Sequence, residues 1–123
     1  MSALVLVVED EHPQLFKQAL EHIGYRVVIA KRGDVAVQMA RIYEPDAIIM
    51  DLRLPGLNGI EAIRAIREFD VRVPIFAVTA YTDSHTREAA INAGANLYQA
   101  KPVDFTILLA QLERATRQEL CIE

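Results

Sequence analysis

A chain of 123 residues and 13.8 kDa has room for one domain of ordinary size, which excludes two-domain enzymes. With 52% hydrophobic and 24% charged residues, and only 5 glycines and 5 prolines, it is not a disordered, collagen-like or low-complexity sequence. The balance of 13 Lys and Arg against 17 Asp and Glu gives a net charge of -4 with no concentrated basic segment, so no direct nucleic-acid binding is expected.

The lone cysteine, Cys121, has no partner within the chain, and the first residues lack the basic start and long apolar core of a secretory signal. No apolar run approaches the roughly 18–20 residues of a membrane span. The expectation is therefore a soluble, cytoplasmic protein, a single domain over residues 1–123, with no membrane partner.

In chain order, the first element is the apolar run Leu4 to Val8. A helix follows, with Pro13 suited to its first turn, Leu15, Phe16, Ala19, Leu20 and Ile23 on one face, and Gly24 at its end. Val27 to Ile29 is a second short strand, and Val35, Ala36, Met39, Ala40 and Tyr43 form a second helical stripe that Pro45 stops. A third strand, Ala47 to Met50, precedes a helix opened by Asn58 or Gly59 and carried by Ile60, Ile63 and Ile66. The fourth strand is Ile75 to Val78. Ser84 reads as the N-cap of an alanine-rich fourth helix, closed by Gly94, whose Ala89, Ala90 and Ala93 mean either mobility or close packing on a sheet. A weaker strand at Leu97 and Tyr98 leads to a last helix, capped by Asp104, with the stripe Phe105, Leu108, Leu109 and Leu112. Apolar runs rich in Val and Ile that do not alternate with polar residues read as strands of a parallel sheet buried on both faces. The expected fold is α/β, a (βα)5 unit with right-handed crossovers.

Open parallel sheets bind ligands at the carboxyl ends of their strands. There the first strand runs into Glu9, Asp10 and Glu11, the third into Asp51, the fourth into Thr79 and the fifth into Lys101 and Pro102. Carboxylates gathered a few ångströms apart repel unless a cation intervenes. Glu9, Asp10 and Asp51 against Lys101 leave two negative charges, which one divalent cation cancels. An all-oxygen donor set favours Mg²⁺ or Mn²⁺ over Zn²⁺. His12, His22 and His85 show no ligand spacing with one another or with Cys121 and read as surface or satisfied residues.

The segments Val7-Val8-Glu9-Asp10-Glu11, Met50 to Gly59, Val78-Thr79-Ala80, Gly94-Ala95 and Tyr98-Gln99-Ala100-Lys101-Pro102, in this order and spacing, resemble the receiver domain of two-component response regulators over essentially the whole chain. The resemblance implies a doubly wound, three-layer fold with strand order 2-1-3-4-5. It implies that Asp51 accepts a phosphoryl group from a sensor histidine kinase or phosphotransfer protein. Asp10 and Asp51 would hold the metal with a backbone carbonyl at Arg53, and Glu9 would support it. Thr79 and Lys101 would contact the phosphoryl group, Thr79 and Tyr98 would form the switch, and Arg53 and Tyr81 would tune its lifetime. The Lys101–Pro102 bond would be cis. The output domain or partner protein would meet the face of the fourth helix, fifth strand and fifth helix, a face also open to a phosphorylation-dependent dimer.

The chemistry is sound on the residues alone, since an ionised aspartate is a nucleophile that needs no general base. Phosphoryl transfer asks mostly for alignment and charge neutralisation, which the metal and Lys101 supply. Two alternatives are an aspartate-nucleophile phosphatase and a phosphorylation-independent scaffold. The first wants a second aspartate where Arg53 stands, and the second predicts loss of the acceptor, hydroxyl or lysine, all of which are present. A flavodoxin-like FMN carrier would place a phosphate against Glu9, Asp10 and Glu11, which repel it.

Overall fold

The computed structural model describes residues 3–80 and 83–121. Strands and helices alternate as β1 (Leu4–Val8), α1 (Pro13–His22), β2 (Arg26–Ala30), α2 (Gly33–Tyr43), β3 (Ala47–Asp51), α3 (Gly59–Arg67), β4 (Ile75–Thr79), α4 (Ser84–Ala93), β5 (Leu97–Ala100) and α5 (Phe105–Cys121). The strands form one parallel sheet in the order β2-β1-β3-β4-β5. The fold class and strand order are those expected from the sequence.

Alternation along each strand divides the core into two layers. Val5, Val7, Ile49 and Val78 join Phe16 and Leu20 of α1 and Leu108 and Leu112 of α5 on one face. Leu6, Val8, Ile48, Met50 and Ala77 join the buried residues of α2, α3 and α4 on the other. Phe16 and Phe105 meet edge to face at 5.2 Å, which ties α1 to α5. Each fully buried Val, Leu or Ile contributes about 1.5–3 kcal/mol, so β1, β3 and β4 are the anchor of the sheet.

The edge strands depart from the expected burial on both faces. β2 and β5 each have one neighbour, their side chains are mostly half-buried, and Arg26 and Leu97 are exposed. The helical stripes are also narrower than periodicity implies. In α1, Phe16 and Leu20 are buried, whereas Leu15 is 56% and Ile23 50% exposed. In α2, Ala36 and Ala40 are buried, while Val35 and Tyr43 lie outside the contact arc.

Cap residues follow local chemistry. Asn58 accepts the Glu61 N–H and opens α3, and Asp104 accepts the Ile107 N–H at the start of α5. For α4 the cap is Asp83, not Ser84. The Asp83 carboxylate accepts both the amide and the hydroxyl of Thr86, and Ser84 is the first helical residue. Gly24 and Gly94 take the positive φ of 104° and 126° that ends α1 and α4, and Glu44 with φ 47° ends α2 ahead of Pro45. Among the described residues no helix is long and apolar enough to cross a membrane.

Candidate functional site

Because all five strands are parallel, their carboxyl ends share one edge. β1 and β3 are neighbours in register, with Val8 opposite Met50, so the residues that follow them stand side by side. α1 and α3 leave these two strands toward opposite faces, which opens a crevice between them. The cleft there is about 560 Å³ and is lined by Asp10, Glu11, Asp51, Arg53, Asn58, Ala80 and Lys101 among others.

Glu9, Asp10 and Asp51 each bring a carboxylate oxygen within 4.8 Å of the other two. Glu9 and Asp51 are 1% and 3% exposed, and Asp10 is exposed. Glu11 lines the cleft outside this cluster. The charges are held apart by specific donors. Lys101 Nζ donates to Glu9 Oε1 at 2.9 Å and to Asp51 Oδ2 at 3.0 Å. Glu9 Oε2 accepts the amides of Glu11 and His12, and Asp51 Oδ1 accepts the Arg53 amide at 3.0 Å.

Burial pushes the Asp51 carboxyl above its ordinary range, against the opposing pull of the Arg53 amide and Lys101. Burial pulls Lys101 down, but its hydrogen bonds to Glu9 and Asp51 outweigh this and its ammonium is held more tightly than usual. All donors offered by the cluster are hard oxygens, three carboxylates with one ammonium among them. That is a donor set fitted to Mg²⁺ or Mn²⁺.

Lys101 reaches the cluster because its own amide continues the β4–β5 ladder, donating to the Thr79 carbonyl at 2.8 Å, before a cis Lys101–Pro102 peptide. Thr79 is fully buried at the end of β4, next to the strand that carries Asp51. Tyr98 lies opposite Ala77 on β5 and packs, half-buried, against the α2–α4 layer. Arg53 is exposed at the cleft wall. Tyr81 lies outside the described residues.

Two contributors carry no signal in side-chain chemistry. The backbone amides of Glu11, His12 and Arg53 are invisible to residue type. Gly59 is the other, since a β-carbon there would stand 2.5 Å from the Asp51 carbonyl oxygen and 2.6 Å from the Leu52 α-carbon. The only hint in the sequence is a glycine at the start of a helix, where glycine is otherwise a poor choice.

Residues 5–113 match the response regulator receiver domain family. The transcriptional regulatory protein KdpE of Mycobacterium tuberculosis is 36% identical over 118 residues, covering 94% of this chain and 51% of that protein. This chain thus spans about half the length of the curated relatives it matches. Among solved structures, the receiver domain of sensor histidine kinase PA1611 from Pseudomonas aeruginosa PAO1 is 38% identical, with a TM-score of 0.88 over 95% of this chain and 99% of that one. It holds a magnesium ion in its active site cleft. A CheY-like receiver domain protein from Methanospirillum hungatei is 25% identical, with a TM-score of 0.91 over 96% of each chain. The match runs from the first strand into the last helix and spans every strand end that feeds the cleft, so the chain belongs to the response regulator receiver domain family.

Proposed function

We propose that residues 1–123 act as one receiver domain, in the cytoplasm, in which Asp51 accepts a phosphoryl group from a histidine kinase or phosphotransfer protein. The observation that carries this reading is the Lys101 ammonium held between Glu9 and Asp51, with the Asp10 carboxylate beside them.

In the step, a carboxylate oxygen of Asp51 attacks phosphorus as the phosphorus–nitrogen bond of a phosphohistidine breaks. The electron pair stays on the imidazole nitrogen. Asp10, Asp51 and the Arg53 carbonyl would hold Mg²⁺ or Mn²⁺, with Glu9 in support, and the bound ion would neutralise charge on the phosphoryl oxygens. The magnesium in the PA1611 receiver supports this assignment. Lys101 is within reach of both the acceptor and its new phosphoryl group and balances the added charge. Glu9 holds that ammonium from the far side. The Thr79 hydroxyl donates to a phosphoryl oxygen, and its movement lets Tyr98 turn toward the space it leaves. The chain thereby shifts toward a form whose α4, β5 and α5 face binds an output domain, a partner or a second copy. Arg53 and Tyr81 tune how long the phosphoryl group lasts. The chemistry serves the chain's own modification and turns over no separate substrate.

With Mg²⁺ and acetyl phosphate the chain gains one base-labile phosphoryl group, read by intact mass, and the Asp51→Asn variant gains none. Label retained undiminished on Asp51→Asn overturns the assignment. A scaffold that needs no phosphorylation finds no support in the site, where acceptor, hydroxyl and lysine are all in place.

A further inference from the structure

The attachment of α4 to the rest of the fold is uneven along its length. On the sheet side it buries Ala90 and Ala93, while its larger Ile91 is 42% exposed. Alanine removes little area from water, so this contact stabilises the helix weakly. At the amino end, the Asp83 carboxylate caps the helix by accepting the amide and hydroxyl of Thr86 on the exposed side, and its carbonyl accepts the Arg87 amide, all bonds local to α4.

The carboxyl end is built differently. The Gly94 amide closes onto Ala90 and Ile91, and the Ala95 amide returns to the Ala90 carbonyl. The Gly94 carbonyl then accepts Arg67 Nε at 3.0 Å and Nη2 at 2.8 Å. Nη2 also donates to Asn96 Oδ1 at 2.9 Å, and Nη1 to the Asp70 carbonyl at 3.0 Å. Asn96 in turn pairs with Ile75 through its amide and its side-chain oxygen, both at 2.8 Å. One planar guanidinium therefore joins the last turn of α3 to Gly94 at the end of α4 and to Asn96, which precedes β5 and pairs with the first residue of β4. A flexible ammonium cannot reproduce this fork.

We infer that Arg67 is a positioning residue that fixes the foot of α4, so that the helix pivots about Gly94 and its displacement grows toward Ser84, the end nearer the cleft. A ten-residue helix is about 15 Å long, so a rotation of about 10° carries its first residue by about 2.5 Å while its last stays in place. The pivot deepens the proposed switch, and rests on that reading only for what drives the movement. The clamp itself is a property of the unmodified chain.

Residue-resolved amide exchange on the whole, unmodified chain tests it. Protection should rise along α4 and be greatest at Gly94 to Asn96. In Arg67→Lys and Arg67→Gln, those three amides should lose about tenfold or more of their protection and the gradient should flatten, with β1 and β3 unchanged. Gly94→Ala gives a second route to the same result. Its β-carbon would stand 2.6 Å from Arg67 Cγ, at a backbone φ that alanine resists, and so displaces the guanidinium while leaving Arg67 present. An unchanged gradient, or an equal loss across every amide of the protein, overturns the clamp. After acetyl phosphate treatment, NMR shift changes should be graded along α4 in the native chain and even along it in Arg67→Gln, with equal phosphoryl uptake. An even response in the phosphorylated native chain overturns the pivot. Failure of the native chain to take up phosphate counts against the functional proposal, while the exchange gradient still decides the clamp.

Discussion

Replacing Lys101 with methionine keeps the length of the side chain and removes its charge. In the native chain the ammonium of this side chain, which is 18% exposed, satisfies one oxygen each of Glu9 and Asp51, whose side chains are 1% and 4% exposed. The variant leaves two buried carboxylates facing one another and Asp10 across less than 5 Å, with the backbone amides of Glu11, His12 and Arg53 still donating to them. Removing one member of a buried ion pair costs about 3–5 kcal/mol. Access of water along the Lys101 side chain lowers this to about 2–4 kcal/mol. With an unfolding entropy of about 2.1 cal/mol/K per residue, 123 residues give about 0.26 kcal/mol/K, so the melting temperature should fall by about 8–15 °C.

The pH dependence fixes the cause. A carboxyl whose folded pKa is raised favours folding below its unfolded pKa of 3.8, and that contribution is lost as pH rises through the folded value. Loss of Lys101 removes one of the groups that pull Asp51 down, which moves this window to higher pH. The deficit of the variant should therefore shrink between about pH 7.5 and pH 5. Lys101 itself, with its pKa raised, contributes fully below 10.5 and loses its contribution only above that, so it is constant over this range. Thermal unfolding followed by circular dichroism in EDTA, with and without Mg²⁺, is the assay, and Mg²⁺ should recover part of the loss. A variant as stable as the native chain at pH 7.5 in EDTA, or a deficit that widens on acidification, refutes the reasoning.

Mg²⁺ at about 100 times its dissociation constant should stabilise the native chain by about 2.7 kcal/mol, near 10 °C in melting temperature. Asp10→Asn should lose most of that rise, and equal melting curves in EDTA and in Mg²⁺ would remove the metal from the proposal. Gly59→Ala should cost about 2–3 kcal/mol in denaturant unfolding, because its β-carbon has backbone rather than a yielding side chain in its way. A change below about 0.5 kcal/mol would mean that the β3–α3 loop adjusts freely.

The parts of the fold legible in the sequence are those where burial is nearly complete. β1, β3 and β4 read as unbroken apolar runs because both faces are covered, and the order of elements follows from them. Periodicity overstates the helical faces at their margins. Leu15 and Ile23 obey the same periodicity as Phe16 and Leu20, yet how wide an arc a helix buries depends on the curvature of the sheet below it and on its neighbours. Adjacent Asp83 and Ser84 are both good caps, and only the position of Thr86 relative to the strand exit decides between them. At the site, Glu9, Asp10, Asp51 and Lys101 were legible as charges that must converge. The amides that feed Glu9 and Asp51 were not, because a backbone N–H has no letter of its own. The role of Arg67 is hidden for a related reason. A basic residue in the last turn of a helix is usually solvated, and its anchoring here depends on a turn 27 residues further on.

The three acids of the cleft are not equivalent, and their differences follow from what each is bonded to. Glu9 is buried and accepts Lys101 on one oxygen and two loop amides on the other, so it is committed to holding the structure of the cleft. Asp10 is exposed, so its charge costs least to keep and is the most accessible to an ion from solution. Asp51 is buried with a donor to each oxygen, and burial still raises its carboxyl above the ordinary range. Two layers of buried aliphatic side chains stabilise a sheet whose strand ends repel, and this is what allows the repulsion to persist in the native state. A cation relieves it, and on the proposed function the phosphoryl group on Asp51 would add negative charge that Lys101 and the cation balance. On the proposed function, the signal is therefore written on a buried carboxylate whose charge burial opposes, and the best-paired one is the frame that keeps Lys101 aimed at it.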